Sequence, residues 1–286
     1  MHLALFPRRG DARLVRNSRS PEPARRPGIC VALSVDAGRP ASTLTADAQD
    51  RLRAASTALL ALCGELDLPA TWGISEPLTS PLVDRLTANP LSSPPHEIAV
   101  RLDPLWSIPK SRRMLLGELL TRYVRKAELS GLPIATVFAD ETLVAGNYDL
   151  LVKRGITSLR RISAGGNRRG GAWSGPRQLR YGLWEYGVCH ASPERPLVPR
   201  RIPGLLASGD RAVSTGSTCV FHLSLEASQM ADGNRWTWRN IERTLRLVAR
   251  LRNNEGLRVE PLRKATGHLV AVPAAAPQRS ILRRAA

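Results

Sequence analysis

The sequence predicts an α/β fold in which parallel strands alternate with crossover helices. Short apolar runs, such as residues 29–35, have the length and composition of strands buried on both faces. Other segments, such as residues 47–66, carry apolar side chains at three- and four-residue spacing, which is typical of amphipathic helices. The two kinds of segment alternate between residues 28 and 261, and this alternation indicates a sheet covered by helices.

The elements follow one another in a regular order. Residues 29–35 form the first strand, because the apolar run ends at Asp36 and Gly38, a polar residue and a turn former. The helix that ends at Leu129 is closed by Ser130-Gly131, a C-cap pattern. The other predicted strands are residues 68–74, 96–100, 134–138, 156–159, 183–188, 218–223 and 257–261. The predicted helices are residues 47–66, 82–86, 109–129, 148–154 and 237–252.

The composition of the two ends differs from that of the middle. Residues 7–27 are rich in Arg, Pro and Ser without apolar periodicity, so they cannot bury enough surface to offset the entropy of ordering. We therefore predict a disordered basic leader at 1–27, one folded domain at 28–268 and a disordered tail at 269–286. No stretch has the apolar length of a membrane span or a signal peptide, so we expect a cytoplasmic protein. The scattered cysteines are expected to be buried thiols.

The formal net charge of +18 comes almost entirely from arginine. The charge is uneven, since residues 235–286 carry 12 basic side chains against 3 acidic ones. Such a surface attracts nucleic acid or another polyanion. No nucleic-acid-binding motif accompanies the arginines, and a genome rich in G and C would favour arginine codons without any binding role. Nucleic acid is therefore a partner that the sequence allows but does not favour.

Three segments, in order, resemble motifs of the polysaccharide deacetylase (NodB-homology) family. Residues 31–38 are similar to the family's strand ending in Thr-Phe-Asp-Asp-Gly, and residues 95–99 are similar to its Gly-His-Glu-Ile-Gly. Val220-Phe221-His222 is similar to its late Leu-x-His. The resemblance covers roughly residues 28–265. It implies a distorted β/α barrel of the kind that acts on N- or O-acetylated sugars.

The same resemblance raises a conflict about the metal. The family holds a divalent cation, usually zinc or cobalt, with the second aspartate of its Asp-Asp pair and two histidines. Those three positions fall here on Ala37, Arg101 and Leu105. Alanine and leucine have no donor atoms, and a guanidinium is permanently positive. We therefore expect no metal cofactor at this position and no metal-dependent deacetylase activity, and whether the chain is an enzyme at all stays open.

Candidate site residues follow from the matched positions. Asp36 matches the family's catalytic base and His222 its general acid, although a turn carboxylate and a core imidazole are the alternatives. Arg101 could replace the missing cation, by pairing with Asp36 or by binding an anionic group of a ligand; the alternative is a surface arginine. Trp106 and Trp184 could stack against a sugar, or could simply pack.

Three functions remain in view. The first is a divergent, non-catalytic relative of the deacetylases with a pocket for a carbohydrate or a small anionic ligand. The second is a hydrolase that removes acetyl groups from sugars with a non-standard metal site. The third is an arginine-rich protein that associates with nucleic acid or another polyanion. The sequence does not indicate an oligomeric state.

Overall fold

The structure is a computed structural model. It describes residues 28–38, 44–75, 80–87, 95–102, 112–162, 176–187, 218–232, 235–255 and 257–270. The predicted leader at 1–27 and residues 271–286 of the predicted tail lie outside these ranges. Every helix within them is too short or too polar to cross a membrane.

The described elements alternate in type along most of the chain. The strands are β1 (Ile29–Asp36), β2 (Thr71–Ile74), β3 (Glu97–Arg101), β4 (Thr136–Ala139), β5 (Ser158–Arg161), β6 (Arg177–Gln178), β7 (Trp184–Tyr186), β8 (Cys219–Glu226) and β9 (Arg258–Glu260). The helices are α1 (Ala46–Glu65), α2 (Pro81–Thr87), α3 (Arg112–Leu129), α4 (Glu141–Val144), α5 (Tyr148–Lys153), α6 (Ala227–Ala231), α7 (Arg235–Glu255) and α8 (Leu262–Val270). One 3-10 turn spans Arg180–Gly182.

The strands form one sheet in the order β6-β7-β5-β4-β3-β2-β1-β8, and β9 pairs with β1. All of these pairs are parallel except β6 with β7. The sheet curls into a half-barrel, as the prediction of a distorted β/α barrel required. Parallel strands joined by crossover helices are confirmed. Because the strands are parallel, their carboxyl ends share one edge of the barrel, where ligand sites of such folds lie.

Strand β1 shows why the apolar runs lack alternation. Val31, Leu33 and Val35 pack in the layer between the sheet and the helices. Cys30 and Ala32 belong to a second cluster inside the barrel. Both faces are buried, so both sets of positions exclude most polar side chains. Along β1, the buried polar residues Ser34 and Asp36 lie toward the carboxyl end of the strand.

Helix α8 covers the amino-terminal end of the barrel. Its first backbone amides are satisfied by interior side chains: Leu262 N donates to Thr71 Oγ1 at 2.7 Å, and Arg263 N donates to Glu97 Oε2 at 3.0 Å. Burial raises the pKa of Glu97, and hydrogen bonds from Thr136, Arg263 and Thr71 oppose this shift. The buried carboxylate of Glu97 is therefore an N-terminal cap for a helix more than 150 residues away in sequence.

Several element boundaries differ from the prediction. Strands β4 and β5 begin two residues later than predicted, and β8 continues to Glu226. Helix α8 was missed, and it extends through Leu269 and Val270, which the prediction placed in the tail. Leu269 packs against the interior cluster, and this contact holds the last turn of the helix. The other missed elements are α4, α6, β6 and the 3-10 turn, all too short to produce a periodic pattern.

Gly73 is a steric requirement of the barrel interior. A β-carbon at this position would lie 2.1 Å from Cδ2 of Phe138. The Phe138 ring is fully buried, and the guanidinium carbon of Arg160 lies 4.5 Å from its centroid. The absence of a side chain at Gly73 therefore makes room for the ring on which Arg160 stacks.

We predict that Gly73→Ala destabilises the fold by about 1–3 kcal/mol, because the ring of Phe138 must move in a closely packed interior. Urea unfolding at neutral pH measures the change. Gly64→Ala is the matched control, since a β-carbon on Gly64 near the end of α1 meets no atom within 4 Å. The control should leave stability unchanged or raise it slightly. Equal effects of the two substitutions would contradict the steric role of Gly73.

Candidate functional site

The carboxyl ends of β1 and β3 bring two charged residues together. Asp36 is the last residue of β1 and Arg101 the last of β3. Arg101 Nε lies 3.0 Å from Asp36 Oδ1 and donates a hydrogen bond to Oδ2 at 3.2 Å. The two side chains are only 10% and 8% exposed. The pairing of Arg101 with Asp36, one of the two alternatives raised for this arginine, is thus present as an ion pair shielded from solvent.

A second arginine approaches the same carboxylate from inside the barrel. Arg160 on β5 is 1% exposed, and its Nη1 lies 3.9 Å from Asp36 Oδ2. Burial lowers the pKa of Arg160, while the charges of Asp36 and Glu226 oppose that shift. Arg160 was not among the site residues predicted from the sequence. The available signal was an arginine at an inward position of a short buried strand, where a cation is rarely found without a partner.

The two arginines and Ser75 carry polar atoms without partners. Arg101 Nη1, Arg160 Nε, Arg160 Nη1 and Ser75 Oγ are buried, and none has a hydrogen-bond partner within the described residues. Ser75 and Arg101 lie next to each other at Gly38, since a β-carbon on Gly38 would be 2.7 Å from Ser75 Oγ and 3.1 Å from Arg101 Cδ. Unpaired buried donors are costly, so this place favours an oxygen acceptor.

The residues around Asp36 do not fit a divalent cation. The carboxylate already faces the guanidinium groups of Arg101 and Arg160. Its neighbour Ala37 offers no donor side chain, and Leu105 lies outside the described residues. In the part of the chain that the structure describes, Asp36 belongs to no group of three His, Cys, Asp or Glu side chains close enough to share an ion. A metal held at Asp36 would be repelled by the two fixed positive charges beside it.

His222 lies deeper in the barrel than Asp36. The register of β1 and β8 places His222 opposite Ala32, whereas Asp36 is opposite Glu226. Four residues along a strand correspond to about 13 Å. The structure therefore does not bring Asp36 and His222 together. Their catalytic roles stay predictions.

Both ring nitrogens of His222 are engaged. Nδ1 lies 2.6 Å from the carbonyl oxygen of Gly187, and Nε2 lies 2.8 Å from Ser34 Oγ. A carbonyl only accepts, so Nδ1 carries the proton and Nε2 accepts from the serine hydroxyl. Burial and the charge of Arg160 lower the pKa of His222 to about 3. This neutral imidazole joins β8 to the end of β7, the two sides of the open barrel.

The aromatic candidates are not gathered around Asp36 in the described residues. Trp184 is the first residue of β7 and is paired with Ser158, two residues before Arg160 along β5. Its ring packs against the interior cluster, and its indole Nε1 has no hydrogen-bond partner among the residues that the structure describes. Trp106 lies outside the described residues. A sugar-stacking role for either tryptophan stays a prediction.

The arginines of two basic stretches, residues 154–211 and residues 235–286, are arranged differently. Helix α7 presents a row of exposed arginines at three- and four-residue spacing, which lies on one face: Arg235, Arg239, Arg243, Arg246 and Arg250. In the earlier stretch, Arg161 and Arg177 instead pair with the buried carboxylate of Glu185. Arg161 and Arg177 thus form ion pairs, whereas the row of arginines on α7 is exposed on one face. Polyanion binding stays a prediction.

Known structures resemble this fold. A candidate polysaccharide deacetylase from Mycobacterium smegmatis superposes with a TM-score of 0.56 at 14% identity, over 87% of this chain and 92% of the other. A second candidate polysaccharide deacetylase, from Pseudomonas aeruginosa PAO1, gives 0.54 at 12% identity, over 86% and 93%. PuuE allantoinase gives 0.55 at 13% identity, over 95% and 100%. At such low identities these similarities show the fold alone.

Sequence comparisons give no independent assignment. No family model matches the chain, and no curated protein matches it in sequence. The fold predicted from the deacetylase-like motifs is therefore present, while the chemistry depends on the side chains described above.

We predict a strong energetic coupling between Asp36 and Arg101. Arg101→Met should destabilise the fold by about 3–5 kcal/mol, because it leaves a shielded carboxylate without its nearest partner. Adding Asp36→Asn to Arg101→Met should recover part of that loss. A double-mutant cycle measured by urea unfolding gives the coupling, expected at about 1–3 kcal/mol. The exposed pair Arg53 and Asp50 is the control cycle, with coupling near zero expected. Similar couplings in both cycles would contradict a special role for the buried pair.

We also predict that stability falls as the pH is lowered from 7 to 5. The unfolded chain binds a proton at His222 with a pKa near 6.5, whereas the folded chain resists protonation until about pH 3. The unfolded state thus binds more protons below pH 6.5, and stability is lost by up to about 1.4 kcal/mol per pH unit for this group. His96 adds to the loss, since burial lowers its pKa to about 4.

His222→Gln tests this assignment. The pH dependence of the unfolding free energy between pH 7 and 5 should be flatter in this variant by close to one proton. His96→Gln should remove a separate contribution. An unchanged slope in His222→Gln would mean that His222 is not held neutral in the folded protein.

Proposed function

We propose that this protein is a non-catalytic relative of the deacetylases that binds a small acidic carbohydrate at the carboxyl ends of the strands. The observation that carries the proposal is the set of unpartnered donors on Arg101, Arg160 and Ser75. A carboxylate matches a guanidinium in geometry and charge. The structural neighbours named as polysaccharide deacetylases support a carbohydrate as the ligand class.

The charge balance of the site favours a ligand with a single negative charge. Asp36 and Arg101 form one pair, and Arg160 interacts with the charges of both Asp36 and Glu226. Two carboxylates therefore face two guanidinium groups. An incoming carboxylate gains hydrogen bonds from free N–H groups, and the balanced charges of the site leave no net negative charge to repel it. A dianion such as phosphate would be repelled more strongly by Asp36 and Glu226.

Hydrolysis by the chemistry of the metal-dependent deacetylases is not expected here. A bound cation supplies that reaction with an activated water and a Lewis acid, and the neighbourhood of Asp36 does not fit one. His222 has both nitrogens in hydrogen bonds, and its pKa of about 3 keeps the imidazole neutral at neutral pH, so it does not supply the imidazolium proton that a general acid needs. The guanidinium and hydroxyl groups present can bind and orient a ligand.

Ligand binding can be tested by isothermal titration calorimetry with glucuronate, glucose and N-acetylglucosamine. Glucuronate should bind at least tenfold more tightly than glucose. Arg101→Lys should lower the affinity for glucuronate by about tenfold or more, because lysine keeps the positive charge beside Asp36 but removes the planar pair of guanidinium N–H donors. Arg53→Lys, on an exposed pair, is the control. Equal affinity for glucuronate and glucose, or no effect of Arg101→Lys, would contradict the proposed site.

The alternative of a hydrolase with a non-standard metal site makes the opposite prediction about turnover. Purified protein is incubated with acetylated chito-oligosaccharides in the presence of zinc or cobalt, and released acetate is measured. No acetate above the protein-free level is expected. Acetate release that requires the metal and disappears in Asp36→Asn would overturn the non-catalytic assignment.

A further inference from the structure

A second cluster of chemically active side chains lies at the opposite end of the barrel. Cys30 is near the start of β1, Glu260 ends β9, and His268 is in the last turns of α8. Cys30 and Asp36 are six residues apart on β1, or about 20 Å. The cluster is therefore distinct from the site around Asp36.

We propose that Cys30, Glu260 and His268 form a zinc-binding site that fastens helix α8 to the base of the barrel. The three potential ligand atoms all lie within 4.8 Å of one another. His268 Nε2 is 2.6 Å from Glu260 Oε2, and Cys30 Sγ is 3.7 Å from the same oxygen. No other group of three such side chains in the described ranges meets this criterion.

The distances are close to those of a tetrahedral zinc site. Zinc–ligand bonds of about 2.0–2.3 Å place neighbouring ligand atoms about 3.5 Å apart. The separation between Cys30 Sγ and Glu260 Oε2 already has this length. His268 Nε2 and Glu260 Oε2 are now joined by a hydrogen bond of 2.6 Å, so they must move apart by roughly 1 Å to bind the same zinc ion. Their side chains are 22% and 19% exposed, so both have room to adjust.

The donor set selects the class of metal. A thiolate is a soft ligand that magnesium and calcium do not prefer, whereas thiolate, imidazole and carboxylate together suit zinc. On binding, zinc takes the sulfur lone pair, and the proton of the Cys30 thiol passes to solvent. The dication is then balanced by the thiolate and by the Glu260 carboxylate. The complex carries no net charge, so it adds no positive charge beside Arg258, which is paired in register with Cys30.

The location gives the site a structural effect. The first turn of α8 is already fixed by Thr71 and Glu97 through the amides of Leu262 and Arg263. Zinc at His268 would fix the other end of the same helix to β1 and β9. Three protein ligands leave a fourth position, which the partial exposure of Glu260 and His268 opens to water.

Zinc binding is tested with the untagged full-length chain after removal of metals with a chelator. Zinc is added back and the excess is removed. The zinc-to-protein ratio is then measured by inductively coupled plasma mass spectrometry. Cobalt replaces zinc in a parallel sample, and a sulfur-to-cobalt charge-transfer absorption reports coordination by a thiolate. The compared variants are Cys30→Ser and His268→Gln, with Cys219→Ser as the control on another thiol that is free in the structure.

The wild type and Cys219→Ser should bind one zinc ion per chain and show the cobalt–thiolate absorption. Cys30→Ser and His268→Gln should bind zinc at least 100-fold more weakly. Zinc should raise the melting temperature of the wild type and leave that of His268→Gln unchanged.

His268 is partly exposed, so its variant remains informative if Cys30→Ser folds poorly. No stoichiometric zinc in the wild type, or undiminished binding by His268→Gln, would overturn the proposal. Glucuronate affinity is a separate readout and does not depend on this result.

Discussion

The ion pair between Asp36 and Arg101 is the interaction on which the carboxyl-terminal end of the barrel depends. It joins β1 to β3 across the intervening strand β2. A shielded carboxylate without a partner would be expensive to keep in this fold, and the guanidinium removes that cost. Gly73, which pairs in register with Asp36, keeps the space between them free of a side chain and admits the ring of Phe138. Phe138 in turn supports Arg160, the second cation beside Asp36.

The kind of charge at this place determines what chemistry the site can perform. A divalent metal is a Lewis acid with exchangeable positions, whereas a guanidinium is a fixed fork of hydrogen-bond donors. The first activates water, and the second orients acceptor oxygens. With His222 committed to Ser34 and Gly187, the interior holds its imidazole as a structural link. We infer that the same barrel supports binding in place of hydrolysis.

Part of this arrangement could be predicted from the sequence. The apolar run before Asp36 indicated the strand end, and the family motifs aligned Arg101 with a metal position close to it. Arg160 could not be found in the same way, because its neighbours in space come from strands far apart in the chain. The sequence left open, for a related reason, whether His222 lies close to Asp36. A motif identifies the residue, but only the register of β1 and β8 shows that it lies at the level of Ala32 and not of Asp36. Helix α8 was missed although Leu262, Ala265 and Leu269 lie at helical spacing and face the interior cluster. The run is short, and the side chains that cap its first turn, Thr71 and Glu97, lie far away in the chain.

We infer that a guanidinium, and not a metal ion, compensates the charge of Asp36. Crystals grown in the presence of zinc, with diffraction recorded on both sides of the zinc absorption edge, show which cation Asp36 holds. We expect density for the Arg101 side chain against Asp36 and no anomalous peak within bonding distance of its carboxylate oxygens. A zinc peak bound to Asp36, with Arg101 displaced from it, would show that Asp36 is a metal ligand and that the ion pair does not replace the metal.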